Sequence, residues 1–226
     1  MSGIYLYCAV PRACAPPAEL RGLDAARVSV LAAQPISVWT SSAESAPSPT
    51  IEHIRQHHAV VARPLELGYT PIPLRFGQWL ASPAEVTRRL HEQAAAFASA
   101  LEAVAGAVEY GVRIARPGAA EPAGSDTAPA RTGRQYLEVA AARLRAEQEA
   151  ETVAASVADT IATEAGPATR RVIVMPATAH GATSIAALVE RDAEPTFDLA
   201  MDAVRRRFPD LRFLVTGPWP PYSFGV

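Results

Sequence analysis

Apolar positions in the first hundred residues switch between two periods, and the switches mark the elements. Ile4 to Val10 is an unbroken apolar and aromatic run of strand length. Pro11 to Pro17 cannot continue it, because proline fixes φ and lacks an amide proton. Val28 to Ala32 and Ile36 to Thr40 predict two short strands that meet near Gln34-Pro35 as a hairpin, and Ser41 to Thr50, rich in Ser, Pro and Ala, predicts an exposed loop. Ile51, Ile54, His58, Val61 and Leu65 then recur at spacings of three and four, the stripe of an amphipathic helix that ends by Gly68. Ile72, Leu74 and Phe76 alternate within Pro71 to Trp79, which predicts a short strand running into a bend at Gly77. Ser82-Pro83-Ala84-Glu85 is a capping box with proline at the first helical position. The helix it starts carries Val86, Leu90, Ala94, Phe97, Leu101 and Val104 on one line, and Gly106 closes it.

From Val108 the order is strand, helix, strand, strand, helix, strand. Val108 to Ala115 is the first strand, and residues 116 to 130, with five Pro and Gly among Ala and Ser, predict a loop tolerant of length change. Arg131 to Ala165 reads as a long helical segment with two stripes, Leu137, Ala141 and Leu144, then Val153, Val157 and Ile161, and room for a kink between them. Arg171 to Met175 is apolar enough to suggest a central strand, followed by Ser184 to Glu190. Phe197, Met201, Val204 and Phe208 mark the next helix and Leu211 to Thr216 the last strand. This βαββαβ order is the split-βαβ, ferredoxin-like arrangement. The expected fold class is therefore α+β in two domains. Residues 1–106 form an N-terminal α+β domain with a small mixed sheet, and residues 107–217 form a ferredoxin-like domain with an extended helical region. Residues 218–226 form a Pro/aromatic segment packing on a domain surface.

Composition removes several classes of function. The net charge of −2 gives no basic footprint for a phosphate backbone, so no nucleic-acid partner is expected. All 21 basic residues are Arg, which excludes chemistry that needs an amine, such as a Schiff base or the lysine of a phosphate-binding loop. Cys8 and Cys14 make neither a disulfide framework nor a paired metal motif and suit a reducing cytoplasm. No stretch approaches the roughly 20 apolar residues that span a bilayer, so no membrane is expected. His53 and His57 lie four apart on a predicted helix with His58 beside them, but Ile54 stands where a zinc protease needs Glu, and no second ligand cluster follows. No G-x-S-x-G or G-x-G-x-x-G is present, and His180-Gly181 has no evident partner. Arg205-Arg206-Arg207 fall in the last turn of a helix, where cations offset the negative end of its dipole. No catalytic residue, metal or cofactor is expected.

Three separated segments resemble the gas vesicle GvpL/GvpF family: the opening strand Ile4-Tyr5-Leu6-Tyr7, the stretch from His57 to Pro73-Leu74-Arg75-Phe76-Gly77, and the closing run Thr216-Gly217-Pro218-Trp219-Pro220-Pro221-Tyr222-Ser223-Phe224. Val108-Glu109-Tyr110-Gly111-Val112 and Ile185 to Val189 extend the resemblance along nearly the whole chain, with Gln78-Trp79 as the local departure. The resemblance implies a cytoplasmic, gas vesicle-associated accessory protein with a ferredoxin-like second domain. Its implied partners are the small hydrophobic shell protein and other accessory proteins. The contrasting readings are an enzyme or small-ligand binder using the ferredoxin-like sheet, and an RNA-binding regulator, which the near-neutral charge disfavours.

Candidate residues for an interface, or for sealing the domains together, are Arg75, Phe76, Trp79, Trp219, Tyr222 and Phe224. Trp219, Tyr222 and Phe224 offer large apolar area with little rotamer freedom to lose. The three prolines among them are expected to stop the last strand and lay the run across a surface. Arg75, between Leu74 and Phe76 in an alternating strand, should point away from the face they bury and pair with a carboxylate or with an acidic group of a partner.

Overall fold

The structure, a computed structural model, describes residues 3–115, 133–176 and 183–225, so the loop expected at 116–130 and His180-Gly181 lie outside the described residues. Its contacts divide the chain into two compact units. The first gathers Met1–Glu109 with Pro218–Val226, and the second is Tyr110–Gly217.

The first unit is built on β1 (Gly3–Pro11), which is buried from Tyr5 to Val10 and therefore covered on both faces. β2 (Ser29–Ala33) and β3 (Ile36–Ala43) form the expected hairpin around a cis Gln34-Pro35 peptide, and β3 pairs with β1 from Ile36–Pro11 to Ala43–Gly3. β3 runs three residues past the expected strand, so Ser41 is buried rather than in an exposed loop. On the other edge of β1 lie β4 (Ile72–Pro73) and β5 (Trp79–Leu80), two residues each. All of these pairings are antiparallel, which corrects the expected mixed sheet. The single strand expected from Pro71 to Trp79 is thus interrupted, although Leu74 N–H still donates to Tyr7 O and Leu6 N–H to Gln78 O, both at 2.9 Å.

Two helices pack on this sheet. α1 (Ile51–Glu66) starts at Thr50, whose hydroxyl accepts from His53 N–H at 3.1 Å. It buries His57, Val60, Val61 and Pro64, whereas Ile51 is 72 % and Ile54 47 % exposed. The expected stripe is therefore turned by about one position, because the helix docks on the aromatic side chains of β1 and presents to them its imidazole rather than its isoleucines. α2 (Pro83–Val104) follows expectation throughout: Ser82 caps it by accepting from Glu85 N–H at 3.2 Å, and the six-residue stripe from Val86 to Val104 is buried. Regular spacing without a competing polar partner made that face readable.

The second unit orders its strands β7-β8-β6-β9, where β6 is Ala107–Ala115, β7 Thr169–Met175, β8 Thr183–Glu190 and β9 Arg212–Trp219. β8 is buried for most of its length, but β7 is an edge strand, which corrects the central position expected from its apolar run; its Arg170 pairs with Glu190 of β8. β9 runs on through Gly217-Pro218-Trp219 instead of stopping before the prolines. It can do so because it lies at the sheet edge, where a proline's missing amide proton faces away from the ladder. α3 (Gly133–Ala165) is one continuous helix with no break, and among its described side chains the buried ones lie in the second half, Ala154, Val157, Ala158 and Ile161 among them. α4 (Glu194–Arg207) packs Phe197, Ala200, Met201 and Val204 inward, and its terminal arginines lie in the last turn, with Arg205 on Asp202 at 2.7 Å.

The burial pattern is tested by a pair of truncations followed by urea unfolding. Phe97→Ala removes a ring that is 3 % exposed and should cost about 3–5 kcal/mol. Ile51→Ala, on the helix face that the spacing alone would have buried, should stay within about 0.5 kcal/mol of wild type.

Candidate functional site

Within the first unit, a polar pair is sealed inside the aromatic core. His57 projects from α1 between Tyr5, Tyr7 and Phe76, with Tyr7 stacked on the imidazole at 5.6 Å and Phe76 edge-on at 5.7 Å. Tyr5 Oη lies 2.8 Å from His57 Nδ1, and His57 Nε2 lies 3.2 Å from Leu74 O. A carbonyl can only accept, so Nε2 carries the proton and donates to Leu74, and Nδ1 accepts from the Tyr5 hydroxyl. The same hydroxyl accepts from Gly77 N–H at 3.2 Å. The Tyr5–His57 pair thus satisfies Leu74 O and Gly77 N–H, backbone groups within the break between β4 and β5. Gly77 sits at φ +90°, a left-handed conformation that a side chain would strain. Burial lowers the His57 pKa from 6.5 to about 4 and raises that of Tyr5 to about 12, so both are neutral and hydrogen-bonded at neutral pH. Tyr7 is held likewise, its hydroxyl 2.8 Å from Ser41 Oγ and accepting Leu23 N–H at 2.9 Å.

The closing run is pinned by a second buried group. Glu109 accepts Ser223 N–H at 2.7 Å and Ser223 Oγ–H at 2.8 Å. Desolvation pushes its carboxyl up and the two bonds from Ser223 pull it back. Pro220, Pro221 and Phe224 are buried by this turn. Trp219 and Tyr222 are not: each stays partly exposed, and both pack on His58, Tyr222 stacked at 5.9 Å and Trp219 edge-on at 5.3 Å. Tyr222 Oη lies 2.9 Å from His58 Nδ1. Burial lowers the His58 pKa and raises that of Tyr222, which favours a phenol donating to a neutral imidazole. His58 lies four residues from Ile54 on α1, so Ile51, Ile54, His58, Tyr222 and Trp219 form an apolar and aromatic ridge on the first unit, stiffened by Pro220 and Pro221.

The six residues singled out from the sequence separate accordingly. Trp219 and Tyr222 belong to the ridge. Phe224 and Phe76 are packed inward, and Trp79 is partly buried, its indole N–H donating to Ala43 O at 3.1 Å. Arg75 is exposed, as the alternation predicted, but the ion pair expected for it is not formed with any described residue. Sequence reasoning missed Glu109 and Ser223, whose partnership spans 114 residues, and placed His58 in the buried stripe. The only available signal that α1 contributes to the ridge was the pair Ile51 and Ile54, which the spacing placed in the core. His53 Nδ1 lies 2.9 Å from Ser48 O and Nε2 3.6 Å from Asp24, so His53 and His57 do not converge. Among the described residues no group of three or more His, Cys, Asp or Glu side chains is placed to hold a metal ion, and no helix is long and apolar enough to cross a membrane.

The family described as gas vesicle synthesis protein GvpL/GvpF matches residues 3–225 of this chain. Gas vesicle protein F2 of Halobacterium salinarum is 30% identical over 203 residues, covering 88% of this chain and 81% of that protein. Gas vesicle protein L of a Streptomyces species is 32% identical over 187 residues, covering 75% and 67%. Among solved structures, the crystal structure of the gas vesicle protein GvpF from an Anabaena species superposes with a TM-score of 0.75 at 22% identity, covering 99% of this chain and 96% of that one. GvpF from Microcystis aeruginosa gives 0.71 at 20% identity, covering 98% of each. At these identities the two structures speak for the fold.

Two measurements check the geometry. The His57 pKa is depressed on folding, so its contribution to stability is complete above pH 6.5 and is lost as pH falls toward 4, about 3 kcal/mol over that window. Unfolding free energies of wild type and His57→Gln at pH 7.5 and 4.5 should show the variant lacking that share of the pH dependence. Glu109→Ala leaves Ser223 without its acceptor, so hydrogen exchange at residues 222–225 should rise at least about tenfold while α2 keeps its protection.

Proposed function

The chain belongs to the gas vesicle synthesis protein GvpL/GvpF family, and we propose that it acts as an assembly factor that binds the small hydrophobic shell protein through the ridge formed by Ile51, Ile54, His58, Tyr222 and Trp219. The observation carrying this reading is that two aromatic side chains of the closing run stay partly exposed although Pro220, Pro221 and Phe224 beside them are buried and Ser223 is hydrogen-bonded to Glu109. Prolines and His58 hold these rings in place, so little conformational freedom is lost when a partner covers them, a condition under which aromatic residues contribute most to binding. An apolar subunit would be shielded from water on such a surface until it is incorporated. Arg75, exposed and without a described partner, offers a bidentate donor for an acidic group of a shell or accessory protein. In this reading the protein works in the cytoplasm at the forming vesicle. Tyr110–Gly217 is read as a ferredoxin-like domain, supported by its βαββαβ element order and the strand order β7-β8-β6-β9.

An enzymatic or ligand-binding role gains no support from the open groove of the second unit. Thr152, Val153, Ser156, Arg207, Phe208, Pro209, Asp210 and Leu211 line it, and the Thr152 hydroxyl donates to Gln148 O at 2.8 Å within its own helix instead of to a carboxylate or imidazole that could activate it.

Co-expression with the shell protein and affinity capture tests the reading. Wild type should retain the shell protein. Trp219→Ala and Ile54→Asp should each reduce capture at least about tenfold with unchanged circular dichroism, and Arg75→Ala should reduce it less. A folded wild type that captures no gas vesicle protein would overturn the proposal.

A further inference from the structure

The first half of α3 buries none of its described side chains. Every described side chain from Arg134 to Glu149 is exposed, including Leu137 at 67 % and Leu144 at 59 %, whereas burial begins only near Ala154. About 25 Å of helix therefore extends beyond the core of its own unit. Most helical stability in proteins comes from packing an amphipathic face, so a projecting helix of this length with leucines in water calls for a cover.

The pattern on that face states what the cover is. Leu137, Ala141 and Leu144 form the apolar stripe, and at 100° per residue Arg134, Glu138, Arg145 and Glu149 fall in one row along its side. Their signs alternate, plus, minus, plus, minus, at spacings of four, seven and four. Such a row is complementary to itself when reversed. About a centre between Ala141 and Ala142, an antiparallel copy places Arg134 opposite Glu149 and Glu138 opposite Arg145, each pair occurring twice. In antiparallel helix pairs it is like flanks that meet, so both members of each pair lie on the side where they can touch. A parallel copy in register would instead set this row against the opposite flank. The small side chains Ala140 and Ala141 let the two backbones approach, with Leu144 of one copy seated beside Ala141 of the other. Within one chain Arg134 already pairs with Glu138 at 3.0 Å, but both are well exposed, and an isolated surface pair of this kind contributes little. In the reversed pair the same charges join a four-membered network on each copy's flank.

The geometry points to a homodimer formed by antiparallel pairing of the N-terminal halves of α3, with a second copy of this chain as the occupant. This surface is distinct from the ridge on the first unit, so a dimer would present two ridges to its partners.

Sedimentation velocity of the full chain from about 1 to 100 μM tests it. The expected result is a reversible species of twice the 23.9 kDa chain mass. Glu138→Arg alone and Arg145→Glu alone should each weaken dimerisation at least about tenfold, and the double exchange should restore it to within about threefold of wild type. Ala141→Cys should crosslink chain to chain under mild oxidation, where wild type, with Cys8 and Cys14 buried, should not. A wild type monomeric to about 100 μM whose Ala141→Cys variant fails to crosslink would overturn the proposal. Dimerisation indifferent to both charge reversals would overturn it too. Loss of a different gas vesicle protein from a monomeric Leu144→Asp variant would assign the face to that partner and overturn self-pairing.

Discussion

In the middle of the first unit, where β1 would pair with a continuous neighbouring strand, an imidazole and a phenol take over the hydrogen bonding. His57 donates to Leu74 O, and the Tyr5 hydroxyl bridges His57 and Gly77 N–H. A buried carbonyl or amide left unpaired costs on the order of 1–3 kcal/mol, so the break between β4 and β5 exists only because these two side chains reach it. The orientation of α1 follows, since His57 must face β1. The exposure of Ile51 and Ile54 follows in turn, because turning His57 inward leaves the flank of α1 that carries the two isoleucines to solvent. The ridge on the first unit is in this sense a by-product of how one histidine is satisfied.

This also explains what the sequence could and could not convey. α2 was legible to the residue, because a capping box and six apolar positions at helical spacing had no rival interaction to satisfy. The element order of the second half was legible for a similar reason, each segment being bounded by its own turn residues. α1 was legible as a helix but not in its orientation: hydrophobicity ranks Ile51 and Ile54 above His57, and the two hydrogen bonds that reverse the ranking lie 52 and 17 residues away in the chain. β7 was misplaced because an apolar run does not report which strands flank its edges, and as an edge strand it is nowhere fully buried. Of the candidate site, the aromatic residues of the closing run could be named from the sequence. Which of them would be covered could not, because that depends on Glu109 and on His58.

The resemblance that identified the family rests on residues with separable roles. The tyrosines of the opening strand and the Pro73-Leu74-Arg75-Phe76-Gly77 stretch form the two sides of the buried hydrogen-bonded pair. In the closing run, Pro220, Pro221, Ser223 and Phe224 are used internally, and Trp219 and Tyr222 remain available at the surface. A single short segment thus combines residues that fix its own position with residues that can meet another molecule, which is why it is dense in proline and aromatic side chains at once.

The first unit is assembled from two stretches of chain that leave the ribosome far apart in time. Glu109 meets Ser223, 114 positions further along the chain, only after everything between them has been translated. At typical elongation rates of about 5–20 residues per second, several seconds pass during which the carboxylate and the aromatic core beside it lack their cover. The second unit, lying wholly within that interval, can fold before the first is finished. Completion of the first unit therefore reports that the polypeptide between its two parts has been synthesised, and a surface that includes Trp219 and Tyr222 comes into being only at that moment.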